Sequence, residues 1–273
     1  MEDNVQFALL LTLFAGLSTG IGSAIALVAR RTNTKLLALS LGFSAGVMIY
    51  IAFIEIFPES RLAFTEHYGE FYGTLYTLIS FFGGMLLIAL IDKLIPSVEN
   101  PHEVRSLESM NSEKDAIRFR KLYRLGILTS VTLAIHNFPE GIATFMSALK
   151  DPALGIPIAL AVAIHNIPEG IAVSVPVYYA TGNRKKAFFL SFLSGLAEPI
   201  GALMAYWLLI PFVTPENGEV IFGAVMAGVA GIMVFISLDE LLPSAEEYGE
   251  HHLAIYGITG GMALMALSLL FIG

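Results

Sequence analysis

The chain has 273 residues, of which 56% are hydrophobic and only 14% are charged. A soluble domain carries about a quarter charged residues, so this composition argues against a soluble globular protein and excludes a disordered one. The absence of cysteine excludes disulfides, thiolate metal sites and cysteine nucleophiles, and the net charge of −8 argues against a nucleic-acid partner. We therefore predict an all-α integral membrane protein.

Eight apolar runs are long enough to be transmembrane helices, each of which needs about 20 apolar residues. The predicted spans, in chain order, are 5–29, 36–57, 73–95, 123–148, 153–180, 186–211, 219–242 and 252–272. The acidic start of the chain lacks the basic region of a cleavable signal peptide, so we expect the first span to be retained. All eight spans are predicted to form a single transmembrane domain, residues 1–273.

The basic residues are divided unevenly between the two ends of these spans. All but two of the 15 Lys and Arg residues fall on one side, and the exceptions are Arg61 and Lys150. Basic residues favour the cytoplasmic side of a membrane. Both termini are therefore predicted to be extracytoplasmic, and the polar segment at about 96–122 is predicted to be a cytoplasmic loop.

Several pairs of similar segments indicate internal repeats, which are common in transporters. Residues 134–143 and 163–172 agree at nine of ten positions. The longer-range pairs are 46–55 with 231–240, 16–22 with 195–201, and 83–85 with 260–262. Spans 1–3 thus resemble spans 6–8, and an odd number of spans per copy inverts one copy relative to the other. The sequence predicts a 3+2+3 arrangement with an inverted repeat.

The two near-identical motifs lie on spans four and five, near the middle of the membrane. His136 and Glu140 are four residues apart, so they share one face of a helix. The same helix face offers an amide oxygen, and span six adds a further carboxylate beside a proline. The predicted metal ligands are His136, Asn137 and Glu140 from the first motif, His165, Asn166 and Glu169 from the second, and Glu198 from span six.

Three carboxylates at this depth are costly, at about 2.5–3.5 kcal/mol each on the insertion scale. A divalent cation supplies the missing positive charge, and one or two ions would both nearly balance it. Mixed nitrogen and oxygen ligands suit Zn²⁺, Fe²⁺, Mn²⁺ or Co²⁺ better than Ca²⁺ or Mg²⁺. Hydrogen-bonded core histidines and a metal-free proton relay are the alternatives. Because each imidazole shares a face with a carboxylate, and in duplicate, a metal site is favoured.

At these residues the sequence resembles the ZIP (Zrt/Irt-like) divalent metal transporter family, and its bacterial ZupT branch in particular. Motifs 136–141 and 165–170 carry the resemblance, which extends over the whole chain. It implies a binuclear centre formed by the ligands named above, with Glu198 coming from the sixth helix. It also implies import of Zn²⁺, and often of Fe²⁺, Mn²⁺, Co²⁺ or Cd²⁺, through the bacterial inner membrane. The predicted loop at about 96–122 contains one histidine, His102, so it is not the His-rich loop that many eukaryotic members carry.

Four further acidic residues, Asp92, Asp239, Glu240 and Glu55, are predicted as exit or secondary ion ligands. The expected partners are divalent metal ions and the lipid bilayer, a homodimer is left open, and no nucleic acid is expected. We predict no cofactor, since the metal ions are transported substrates, and no enzymatic activity. The alternative is a membrane-embedded hydrolase that uses a metal-activated water. It is disfavoured because the sequence lacks His-Glu-x-x-His and an evident nucleophile motif.

Overall fold

The computed structural model describes residues 2–28, 34–94, 134–135, 137–248 and 251–272. Every regular element within these residues is helical, which confirms the predicted all-α class for them. Six stretches among them are long and apolar enough to cross a membrane. The predicted loop at 96–122, the first part of the fourth predicted span, His102 and His136 lie outside the described residues.

The helices are numbered here in chain order. They are α1 (Glu2–Val28), α2 (Thr34–Ile51), α3 (Phe57–Leu94), α4 (137–150), α5 (Pro152–Thr181), α6 (Arg184–Gly195), α7 (Ala197–Leu208), α8 (Gly218–Ile236), α9 (Leu242–Tyr248) and α10 (His251–Ile272). Two π-helical turns, Ala52–Ile56 and Ser237–Leu241, join α2 to α3 and α8 to α9. A short 3₁₀ turn, Ile210–Phe212, follows α7.

Helix α3 reverses direction at Gly69, where φ is +76° and ψ is 169°. Glycine adopts this backbone conformation without steric cost. Residues on either side of the turn pair with each other: Thr65 lies against Gly73, and the rings of Phe57 and Phe81 meet edge-on at 5.4 Å. The second and third spans are therefore the two arms of one hairpin, and the longest of the six apolar stretches contains two crossings.

The first arm of this hairpin stays helical beyond residue 57, where the second predicted span ends. The first backbone departure from helical φ and ψ after Phe57 is at Gly69, although charged side chains follow Pro58. Helix backbone hydrogen bonds are made within the helix, so a polar helical arm is stable where it reaches water.

Capping residues fix the turns at both ends of α5. The side chain of Asp151 accepts a hydrogen bond from the backbone N–H of Ala153 at 2.9 Å and begins the helix. Gly182, with φ +62°, ends it, and the side chain of Asn183 caps α6 by accepting from the N–H of Lys186. Asp151 alone joins α4 to α5, and Gly155 lies against Ala148 while His165 lies against Glu140, so the two helices are antiparallel neighbours with their motifs side by side.

The main helix pairs are α1 with α5, α2 with α10, and α3 with α8. Glycines allow close backbone approach in these pairs, as in many membrane helices. Gly46 on α2 packs against the carbonyl oxygen of Ile258 on α10, and Gly231 on α8 packs against that of Phe81 on α3. These two contacts join equivalent positions of the sequence repeat, since 46 pairs with 231 and 81 with 258.

The two π-helical turns are also equivalent in the repeat. Each residue of Ala52–Ile56 lies 185 positions before its counterpart in Ser237–Leu241. Pro58 and Pro243 follow these turns, and a proline cannot donate the backbone hydrogen bond that would continue the α-helical pattern. The wider i→i+5 bonding of the π turn therefore appears at the same place in both copies.

The two basic residues that were predicted to stand apart from the others lie at one end of the molecule. Lys150 Nζ is 2.9 Å from Glu219 Oε2 at the start of α8 and 4.0 Å from Glu59 Oε2 on α3. Arg61 follows Glu59 on the same arm and pairs with Glu70 just beyond the hairpin turn. The hairpin turn, the α4–α5 turn and the start of α8 therefore share this end.

Candidate metal site

Three ionisable side chains meet inside the helical bundle. Glu140, His165 and Glu169 each offer one ligand atom, and these atoms lie within 4.8 Å of one another. His165 Nε2 is 3.2 Å from Glu140 Oε1. All three side chains are at most 1% exposed. One imidazole nitrogen and two carboxylates at this spacing form a suitable site for a transition-metal ion.

The helical geometry explains why these residues meet. His165 and Glu169 are four residues apart on α5, so they point to the same side of that helix. Glu140 comes from α4, which the turn at Asp151 places antiparallel to α5. The cluster therefore contains one carboxylate from the first motif together with the imidazole and carboxylate of the second.

Asn166 connects this cluster to Glu198 on α7. Its amide nitrogen donates to the carbonyl oxygen of Ala15 at 2.9 Å and to the carboxylate of Glu198. Since both partners are acceptors, they fix which end of the amide is the nitrogen. The opposite atom, Asn166 Oδ1, is buried and has no hydrogen-bond partner among the described residues. It is therefore a neutral oxygen that a metal ion could use.

Asn137, the matching residue of the first motif, is held in the matching way. It is fully buried, and its amide nitrogen donates to the carbonyl oxygen of Ser194 at 3.3 Å. Ser194 lies 179 positions after Ala15, the same offset that separates 16–22 from 195–201 in the sequence repeat. The remaining predicted ligand, His136, lies outside the described residues.

A glycine follows the glutamate of each motif and lets a neighbouring helix approach. Gly141 packs against the carbonyl oxygen of Glu198 on α7, and Gly170 packs against that of Thr19 on α1. A Cβ at either position would overlap a backbone oxygen. These glycines therefore hold α1 and α7 against the helices that carry the motifs.

Ser44 on α2 also touches the cluster, and the sequence analysis missed it. Its hydroxyl donates to Glu169 Oε1 at 3.3 Å, and the side chain is fully buried. Serines in apolar helices usually donate to a carbonyl of the preceding turn, so sequence alone gives them no special role. The available signal was its position, two residues before the repeated segment that starts at Gly46.

The predicted secondary residues are not part of this cluster. Glu55 lies in the first π turn and Glu240 in the second, and both are half-buried. Asp239 is exposed beside Glu240, and Asp92 lies in the last turn of α3. The structure thus places them at the α2–α3 junction, in the last turn of α3 and at the α8–α9 junction, outside the cluster of three ligands.

Comparison with known proteins gives matches over the whole chain. The sequence profile of a family described as ZIP Zinc transporter matches residues 93–269. A protein named zinc transporter ZupT from Lysinibacillus sphaericus is 62% identical, and the match covers 100% of both chains. This chain belongs to the ZIP zinc transporter family. Membership confirms the resemblance inferred from the two motifs.

Other relatives of the same name are nearly as similar. The zinc transporter ZupT of Nitratidesulfovibrio vulgaris is 60% identical, with 98% of each chain covered. That of Clostridium perfringens is 56% identical, with 98% of this chain and 96% of the relative covered. These ZIP proteins are named as transporters, which agrees with the prediction that the chain is not an enzyme and removes support for the hydrolase alternative. The chain is a multi-pass membrane protein of this family.

Proposed function

We propose that this ZIP protein imports divalent transition-metal ions into the cytoplasm and that Zn²⁺ is its principal substrate. The observation that carries the proposal is the buried cluster of Glu140, His165 and Glu169 inside an apolar helical bundle. Zn²⁺ comes first because the relatives are named as zinc transporters. The mixed nitrogen and oxygen donors also suit Fe²⁺, Mn²⁺, Co²⁺ and Cd²⁺. The ions are substrates, and the proposal needs no cofactor.

The charge of the site supports a divalent cargo. Glu140, Glu169 and Glu198 are all at most 1% exposed. If all three are ionised, one divalent ion leaves a net charge of −1 and two leave +1. A mononuclear and a binuclear centre are therefore both close to neutral, whereas three bare carboxylates would cost about 8–10 kcal/mol at mid-membrane.

The proposed ligand set has two parts. One contains His165, Asn166 and Glu169, with Glu198 joined to Asn166. The other contains His136, Asn137 and Glu140. Glu140 and His165 lie against each other, so we propose that the parts form one continuous site that can hold two ions.

We propose eight spans in a 3+2+3 arrangement with an inverted repeat. Contacts made at the repeat offsets support it, among them Gly46 with Ile258 and Gly231 with Phe81. The grouping of Arg61 and Lys150 at one end supports an extracytoplasmic location for that end. Both termini then lie outside, and residues 96–122 face the cytoplasm of a bacterial cell with this protein in its inner membrane. The homodimer that the sequence leaves open is not part of this proposal.

Ions leaving the central site would next meet the acidic residues outside it. We propose that Asp92, Asp239 and Glu240 are secondary ligands toward the cytoplasm, and that Glu55, in the other π turn, is a secondary ligand toward the extracytoplasmic end that holds Glu59 and Lys150. The equivalent positions of Glu55 and Glu240 in the repeat support a related role for both. Carboxylates of intermediate exposure can exchange ions with water more readily than fully buried ones.

Radioactive zinc uptake into proteoliposomes tests the proposed function. We expect uptake by the wild-type protein, and loss of uptake in Glu140→Ala and in Glu169→Ala. Glu66→Ala is a matched control, since it removes an exposed carboxylate from the same chain. Uptake by all four proteins at the same rate would contradict the proposed site, and no uptake by folded wild-type protein would contradict the function.

A further inference from the structure

Glu198 has a counterpart in the first half of the chain. The repeat that pairs Gly16 with Gly195 pairs Thr19 with Glu198, since both pairs are separated by 179 positions. The carboxylate at one position thus corresponds to a neutral hydroxyl at the other. This difference is hidden in a simple comparison of the two motifs, because both residues lie outside them.

The contacts around Thr19 and Glu198 confirm that the two positions are structurally equivalent. Gly141 of the first motif packs against the carbonyl oxygen of Glu198, and Gly170 of the second motif packs against that of Thr19. Gly16 and Gly195, which the repeat pairs with each other, pack against each other's carbonyl oxygens. The side chains of Thr19 and Glu198 therefore leave equivalent backbone positions on α1 and α7.

The hydroxyl of Thr19 differs from the other buried hydroxyls of α1. Thr19 is 0% exposed, and its Oγ1 has no hydrogen-bond partner among the described residues. Thr12, Ser18 and Ser23 each donate to a carbonyl of the preceding turn, at 2.8, 2.6 and 2.9 Å. Burial of a hydroxyl without a hydrogen bond is costly. We therefore expect a ligand to interact with Thr19 Oγ1.

The position of Thr19 identifies the part of the site that it faces. A Cβ on Gly195 would lie 2.8 Å from Thr19 Oγ1. The residue before Gly195 is Ser194, whose carbonyl oxygen accepts a hydrogen bond from the side-chain amide of Asn137. The amide nitrogen of Asn166 donates to the Glu198 carboxylate, and the repeat therefore predicts that Thr19 faces Asn137 in the equivalent way.

We propose that Thr19 is a specificity-determining residue of the metal site, and that its hydroxyl is a neutral oxygen donor for an ion held beside Asn137. The inference rests on the proposed function of that site. It gives Asn137 a neutral hydroxyl at the position where Asn166 has the Glu198 carboxylate.

Substitution by cysteine tests the proposal, because the natural chain contains no cysteine. Thr19→Cys places the only thiol of the protein at the proposed position, and Thr12→Cys places it two helical turns away on α1. Thiolates prefer Cd²⁺ over Mn²⁺. We expect an ultraviolet Cd²⁺–thiolate charge-transfer band in purified Thr19→Cys and no band in Thr12→Cys. We also expect the ratio of Mn²⁺ to Cd²⁺ dissociation constants to rise about tenfold or more in Thr19→Cys alone.

The outcomes separate this inference from the proposed function. Wild-type protein that binds Cd²⁺, with no band and no altered ratio in Thr19→Cys, would overturn the role of Thr19 and leave the metal site standing. Wild-type protein that binds neither ion would overturn both. If Thr19→Cys does not fold, Thr19→Val should weaken binding of one ion about fivefold relative to Thr19→Ser, the effect of losing about 1 kcal/mol. Equal affinities in those two variants would also refute it.

Discussion

Replacement of Gly170 by alanine tests whether the close approach of α1 to α5 positions the metal site. The added Cβ would overlap the carbonyl oxygen of Thr19, which is backbone and cannot rotate away. Helix α1 must therefore shift relative to α5, the helix that carries His165 and Glu169. Gly83→Ala is the matched control, because a Cβ at this helical glycine meets nothing within 4 Å.

The size of the effect follows from two opposing contributions. Overpacking of a well-packed interior costs about 1–3 kcal/mol, and a backbone clash belongs to the upper part of that range. The gain in helix propensity from glycine to alanine offsets about 0.5–1 kcal/mol. We expect Gly170→Ala to be destabilised by about 2 kcal/mol, which corresponds to roughly 4–8 °C in Tm, whereas Gly83→Ala is neutral or slightly more stable.

The assay combines thermal unfolding in detergent with zinc uptake in proteoliposomes. A shift of about 1 Å at a site that requires fixed geometry can cost about 100-fold in rate, so uptake by Gly170→Ala should fall much more than its folded fraction does. Uptake and Tm equal to those of Gly83→Ala would refute the reasoning, because the backbone contact would then have no influence on the site.

Three further predictions each concern one side chain. Ser44→Ala removes the hydroxyl that donates to Glu169, so zinc affinity measured by calorimetry should fall about two- to tenfold, and an unchanged affinity would contradict a role for this serine. Asn166→Asp replaces the donor to Ala15 and Glu198 by an acceptor, so Tm without metal should fall and added Zn²⁺ should restore part of it; a metal-independent Tm would count against this explanation. Lys150→Met should lower the free energy of unfolding by less than about 1 kcal/mol, and only at low salt, because the ion pairs of Lys150 with Glu219 and Glu59 are partly exposed. An equal loss of stability at high salt would show that packing of Lys150 against Phe222 matters instead.

The central cluster could be predicted from the sequence because helical spacing is regular. His165 and Glu169 share a helix face by their separation alone, and the short connection at Asp151 brings Glu140 alongside them. The duplicated motif also made the relation between α4 and α5 visible. These inferences depend on local geometry, which the order of residues largely determines.

Contacts between distant helices could not be predicted in the same way. Nothing in the sequence of α2 indicates that Ser44 donates to Glu169, since the contact depends on how α2 packs against α5. The repeat pairs Thr19 with Glu198, but a threonine in an apolar helix usually donates a hydrogen bond to the backbone of its own helix. Only the packing distinguishes Thr19 from Thr12, which does so.

The hairpin at Gly69 shows a different limit of sequence reasoning. The second predicted apolar span ends at residue 57, whereas the backbone stays helical up to Gly69, where φ is positive. Polarity reports where a helix leaves the apolar region, and glycine reports where the chain turns. The two boundaries coincide in a short loop, but they are about ten residues apart here.

Diffraction from crystals of the zinc-loaded protein, measured at the zinc absorption edge, would locate the bound ion. We expect an anomalous difference peak among Glu140, His165 and Glu169, with nitrogen and oxygen ligands at about 2.0–2.2 Å. The peak should be lost in Glu140→Gln combined with Glu169→Gln. Zinc bound elsewhere, with no peak between these three side chains, would contradict the proposed metal site.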